Sequence, residues 1–165
     1  HQTKSGTVSR TFLIVLVWLA AACTPPDKLE SVTLNDFELY TLDGKPYDVG
    51  ALKGKAVFIN VWATWCRPCV QEMPTIAEAM TRLKGRDILF LFASSEPLEE
   101  IIAFRDRKQF PFEYVQLKNL EELSIAAIPA TFIFRPTGEQ VYGEEGFRDW
   151  STAESLAIIT QEPAH

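Results

Sequence analysis

The chain has 165 residues, 47% hydrophobic and 23% charged, with a formal net charge of −6. That length makes one domain the natural expectation, with enough apolar material for a core that needs no cross-links. The acidic balance argues against a nucleic-acid partner and against docking on a membrane through charge.

Lys4 and Arg10 form a basic start without an acidic residue, residues 11–19 are apolar, and Ala20-Ala21-Ala22 is a small-residue cleavage site. This is a secretory signal pattern over residues 1–22, and its apolar run is too short for a comfortable transmembrane helix. Leu19-Ala-Ala-Ala-Cys23 resembles the lipobox of bacterial lipoproteins, although Ala20 stands where that pattern usually has Leu. Cys23 is therefore expected to carry the lipid, with an uncleaved membrane anchor and simple secretion as the other readings. Acylation would also account for the odd count of three cysteines. Loss of residues 1–22 would take the formal charge to −8. Residues 23–31, with Pro25-Pro26, read as a tether, and residues 32–162 as the folded domain.

From Val32 to Val49 the pattern is that of a β-hairpin: Phe37, Leu39 and Thr41 alternate, Asp43-Gly44 turns, and Pro46 to Val49 returns. Residues 56–62, Ala-Val-Phe-Ile-Asn-Val-Trp, read as a buried strand. Next comes Ala63-Thr64-Trp65-Cys66-Arg67-Pro68-Cys69, then Ile76, Ala77, Met80 and Leu83 at helical spacing, closed by Gly85. Pro68 suits a first helical turn, so Cys66 stands at the N-terminus of the helix. Unpaired N–H groups there favour a negative charge and lower a thiol pKa, and Arg67 adds a positive charge. Cys66 is the expected attacking sulfur and Cys69, one turn in, the resolving one. The C-x-x-C spacing also occurs in zinc sites and static disulfides. A structural zinc site needs about four ligands, and the chain offers only Cys23, His1 and His165 besides. A redox pair in a βαβ setting is the stronger reading.

Residues 88–93 read as a second parallel strand. Ser94-Ser95-Glu96-Pro97 is a helix-start signal, and residues 97–108 an amphipathic helix with Leu98, Ile101, Ile102 and Arg105 on one face. Residues 112–117 read as a short strand, and residues 119–125 as a short helix capped by Asn119. Residues 131–135 and 140–143 read as an antiparallel pair around the turn 136–139, and residues 149–160 as the last helix. Ile128-Pro129 precedes the first of these strands; unaided, it reads as an ordinary trans bond.

Asn60-Val-Trp-Ala-Thr-Trp-Cys-Arg-Pro-Cys-Val-Gln-Glu-Met-Pro74 resembles the active-site segment of the thioredoxin superfamily, more narrowly its extracytoplasmic TlpA/ResA/CcmG-like thiol–disulfide oxidoreductases. The similarity extends from about residue 32 to about residue 160. It implies an α/β thioredoxin-like fold, a mixed sheet flanked by helices, with an N-terminal β-hairpin and an inserted strand–helix unit. It implies a cis Ile128–Pro129 bond facing the cysteines. It would set Trp65, Arg67, Pro68, Ile128 and Pro129 against the substrate, with Ile128 offering backbone groups to an extended peptide.

Cytoplasmic thioredoxins carry a buried Asp where this chain has Asn60, which cannot take a proton. Glu72, three residues past Cys69, shares its helix face and is the candidate proton acceptor for that thiol; the plain alternative is a solvated Glu. The resemblance further implies a protein-disulfide reductase in the periplasm or on the outer face of the cytoplasmic membrane. Its substrates would be exported proteins such as apocytochrome c or copper-site proteins, and its electron donor a CcdA/DsbD-like transmembrane thiol reductase. No cofactor, metal or nucleic acid is expected, and the protein should be a monomer. A DsbA-like oxidant would use the same residues, a Cu(I) carrier would use the thiolates as soft ligands, and a peroxiredoxin would place its cysteine in a different local pattern.

Overall fold

The computed structural model describes residues 28–163. The signal segment 1–22, Cys23 and residues 24–27 of the tether lie outside the described residues, as do 164–165. Six strands form one mixed sheet in the order β1-β4-β3-β2-β5-β6. β2 (Ala56–Val61), β3 (Ile88–Ser94) and β4 (Glu113–Leu117) run parallel, joined by α1 (Arg67–Arg82) and α2 (Leu98–Lys108). β5 (Ala130–Phe134) is antiparallel to β2, β6 (Gln140–Glu145) closes that edge, and β1 (Leu39–Tyr40) closes the other against β4. α3 (Ala153–Thr160) ends the fold. The thioredoxin-like class read from the sequence is the observed one.

The pleat sorts β2 onto two cores. Val57, Ile59 and Val61 enter one, with Leu91, Phe132 and Phe134; Phe58 and Trp62 enter the other, with Phe90, Phe92 and Ile133. A central strand covered on both faces has no polar face to show, hence its near-continuous apolar run. α1, α2 and α3 cover the Phe58 face through Met73, Ile76, Ile101, Phe104 and Ile159. The N-terminal segment and short 3-10 turns at Leu34–Asp36, Val49–Leu52 and Leu120–Leu123 contribute to the other face. Fully buried Trp150 packs edge-on against Phe58 at 4.9 Å.

Four local expectations shift. The N-terminal hairpin is narrow: Tyr40 bridges Pro46, Gly44 takes the left-handed turn (φ +81°), and residues 34–36 form a 3-10 turn instead of extending the strand. Asn119 precedes a 3-10 turn but does not cap it; its amide is spent on Glu38 N, Asp36 O and Glu122. The last helix begins at Ala153, capped by Thr152, because Asp149 and Ser151 close a turn with their own side chains. The packed chain starts before residue 32: Lys28 bridges Glu144, and buried Leu29 donates its N–H to Gly143 O at 3.0 Å.

Candidate functional site

The site lies at the carboxyl end of β2, where the sheet changes direction between parallel β3 and antiparallel β5. Register sets its composition. Val61 lies opposite Ala130, so the residues just past β2 meet the residues just before β5. Cys66 caps α1, its sulfur accepting the Cys69 N–H at 3.3 Å. Cys66 and Cys69 form a disulfide with Cα atoms 5.3 Å apart. The Ile128–Pro129 bond is cis, and the Ile128 carbonyl oxygen stands 3.7 Å from Cys66 Sγ. Cys69 is fully buried, Cys66 is 4% exposed and Trp65 is 74% exposed. Arg67 and Pro68 sit exposed on the first turn. A cavity of about 320 Å³ opens beside the disulfide, lined by Trp62, Trp65, Leu120, Ile125, Ala127 and Ile128 among others.

Behind the disulfide, Glu72 is fully buried. Its Oε1 accepts the Trp150 indole N–H at 2.7 Å and the Arg148 backbone N–H at 3.0 Å. Its Oε2 accepts the Asn60 amide at 3.1 Å, and the same amide reaches Thr131 Oγ1 at 3.0 Å. Burial pushes the Glu72 carboxyl up to about 7; the bonds from Trp150, Arg148 and Asn60, and the Arg148 charge, pull the other way without offsetting it. Spacing along the helix placed Glu72 on the Cys69 face; the solvated alternative does not occur. Asn60 Oδ1 finds no hydrogen-bond partner among the described residues.

Sequence reasoning missed three contributors. Trp150 lies 78 positions from Glu72, and Arg148 76 positions. Arg148 also stacks on the Tyr142 and Trp150 rings at 5.5 and 5.7 Å. Glu96, read as part of a helix start, instead binds the loop ahead of Cys66: its carboxylate accepts from Thr64 N at 2.8 Å, Thr64 Oγ1 at 2.6 Å and Ser94 Oγ at 2.8 Å. Pairings of this reach leave no local signal, beyond the bare fact that Glu96 and Trp150 are residues that need partners when covered.

Among known proteins, thiol-disulfide oxidoreductase ResA of Geobacillus kaustophilus is 32% identical over 111 residues, 65% of this chain and 64% of the relative. Thioredoxin-like protein YneN of Bacillus subtilis is 32% identical over 108 residues, 62% of this chain and 64% of that protein. This chain thus spans slightly less than two-thirds of these relatives' length. A solved structure of a putative thiol-disulfide oxidoreductase from Bacteroides vulgatus superposes with a TM-score of 0.65 at 22% identity, covering 87% of this chain and 100% of the other, a likeness of fold. Residues 31–142, more than half of the chain, match the AhpC/TSA family model, and the chain belongs to that family.

Proposed function

We propose that this protein is a membrane-tethered, extracytoplasmic thiol–disulfide oxidoreductase that reduces disulfides of exported proteins through Cys66 and Cys69. The observation that carries the reading is a cysteine pair closed across the first turn of α1, with a buried carboxyl held near neutrality one turn behind it. The names of the ResA relatives support it.

In the reduced protein the Cys66 thiolate attacks one sulfur of a partner disulfide. The partner S–S bond breaks, one partner thiolate leaves, and a mixed disulfide forms. Cys69 passes its proton to Glu72 and attacks Cys66 Sγ. The mixed disulfide breaks, the second partner thiolate leaves, and two electrons have moved to the partner, whose thiolates take up protons. Trp65, Arg67 and Pro68 would flank the incoming chain, and Ile128 and Pro129 would meet its backbone. Re-reduction would come from a transmembrane thiol reductase; apocytochrome c or copper-site proteins are the substrate classes.

Cys23 would carry the lipid. Lys28 joins the sheet beside Glu144, at the end where Pro129 and the disulfide lie. Five residues of tether reach at most about 18 Å, which favours a domain whose disulfide end faces its anchor. No helix among the described residues is long and apolar enough to cross a membrane. A peroxiredoxin reading is not favoured, since both sulfurs stand in Trp-Cys-x-Pro-Cys.

The test is the reduction potential of the pair, followed by Trp fluorescence in glutathione or dithiothreitol buffers. A value near or below about −220 mV supports the reductase, whereas one near about −120 mV reassigns the protein to the oxidants.

A further inference from the structure

We infer that Glu145 is a positioning residue, whose carboxylate fixes the 126–128 loop that the partner protein must meet beside Cys66. The inference rests on the oxidoreductase reading above. Glu145 ends β6, opposite Ala130 of β5, and Gly146 beside it donates its N–H to Pro129 O at 2.7 Å. From there the Glu145 Oε1 atom accepts two successive backbone N–H groups, Ala126 at 2.6 Å and Ala127 at 3.1 Å.

The loop needs that support. Ala126 and Ala127 are exposed and carry no side chain long enough to anchor it, and Ser124 before them is left-handed (φ 51°). Ile125 and Ile128, at the ends of the stretch, are partly buried and pack against the core among the described residues. Backbone N–H groups bound by a carboxylate are held more tightly than by a neutral acceptor. The two alanines and Ile128 line the cavity next to the disulfide, and the Ile128 carbonyl stands against Cys66 Sγ. Glu145 therefore sets both the shape of that cavity and the place of the carbonyl, while touching neither sulfur.

The experiment compares the reduced full chain with Glu145→Ala and Glu145→Gln, using insulin and oxidised glutathione as the two disulfide probes. Glu145→Ala should lower the insulin rate constant about tenfold and the glutathione constant much less, because only the larger probe depends on the loop. Glu145→Gln keeps an Oε1 acceptor and should hold the ratio of the two constants within about threefold of the parent. Amide exchange at residues 126 and 127 should speed up about tenfold in the alanine variant. An unchanged ratio, or unchanged exchange at those two amides, overturns the inference. A parent protein that reduces neither probe would instead overturn the oxidoreductase reading, and the exchange at 126 and 127 would still decide the clamp.

Discussion

Replacing Trp150 by Phe tests whether the hydrogen bonds behind the disulfide tune Glu72. The indole N–H lies 2.7 Å from Glu72 Oε1, and the ring is fully buried. A hydrogen bond to a charged group contributes about 1.5–3 kcal/mol, and one to a neutral group about 0.5–1.5. Losing the donor therefore disfavours the carboxylate over the acid by roughly 1–1.5 kcal/mol, which is about one pH unit upward. Starting from about 7, the fraction of molecules holding the base form at pH 6.5 falls about eightfold. The assay is single-turnover resolution of a preformed Cys66–thionitrobenzoate mixed disulfide, in which Cys69 attack releases the chromophore. The rise of rate with pH should shift upward by about one unit. Phe also thins the packing against Phe58 and costs about 1–3 kcal/mol of stability, but that changes amplitude and melting, not the midpoint of the rise. A midpoint that stays put, or moves down, would refute the reasoning.

Three further outcomes follow from the same contacts. The folded carboxyl of Glu72 keeps its proton up to about pH 7, against the ordinary glutamate value of 4.5, so the folded state binds more protons and loses stability as pH rises across that window. Glu72→Gln should remove this slope and, in urea unfolding at pH 8, exceed the parent by up to about 3 kcal/mol. Glu96→Ala leaves the Thr64 N–H without its acceptor; it should cost about 2 kcal/mol in the same unfolding assay, with Glu96→Gln recovering part. Gly146 has φ +96° and open space where a Cβ would go, so Gly146→Ala should destabilise through backbone strain alone, by about 1 kcal/mol in thermal melts.

What could be read from the chain, and what could not, divides along contact range. Cys66 at the head of a helix follows from an apolar run, a C-x-x-C and Pro68, all within a dozen residues, and the structure has it there. Glu72 on the Cys69 face follows from helix periodicity, and both are buried. The cis bond at Pro129 was legible only through resemblance, because nothing local to Ile128–Pro129 distinguishes it from a trans loop proline. Trp150, Arg148, Glu96 and Glu145 act across 18 to 78 positions. Their partners are backbone N–H groups, hydroxyls or a carboxylate brought close by sheet register, and register is a property of paired strands, not of either strand's residues. Asn119 failed for the complementary reason: a good capping residue was taken by longer-range acceptors and donors at Glu38 and Asp36.

The Glu72 carboxyl shows why a buried acid suits this site better than an exposed one. A thiol of ordinary pKa, about 8.5, transferring its proton to a carboxylate of pKa 4.5 would climb four units, about 5.4 kcal/mol. With Glu72 at about 7, the climb is about 1.5 units, or about 2 kcal/mol. Burial alone would push the acid higher, but an acid far above neutrality would hold its own proton and accept none. The bonds from Trp150, Arg148 and Asn60 each favour the carboxylate, so they limit the rise that burial causes. Four elements thus meet on one carboxyl: Asn60 on β2, Glu72 on α1, Arg148 and Trp150 on the strap before α3, and Thr131 on β5 holding Asn60 in place. On the mechanism proposed above, a group balanced near neutrality would accept a proton from Cys69 when the pair oxidises and return it when the pair is reduced. It would then serve either direction of exchange equally, and the direction would rest on the potential of the Cys66–Cys69 pair against that of its partners.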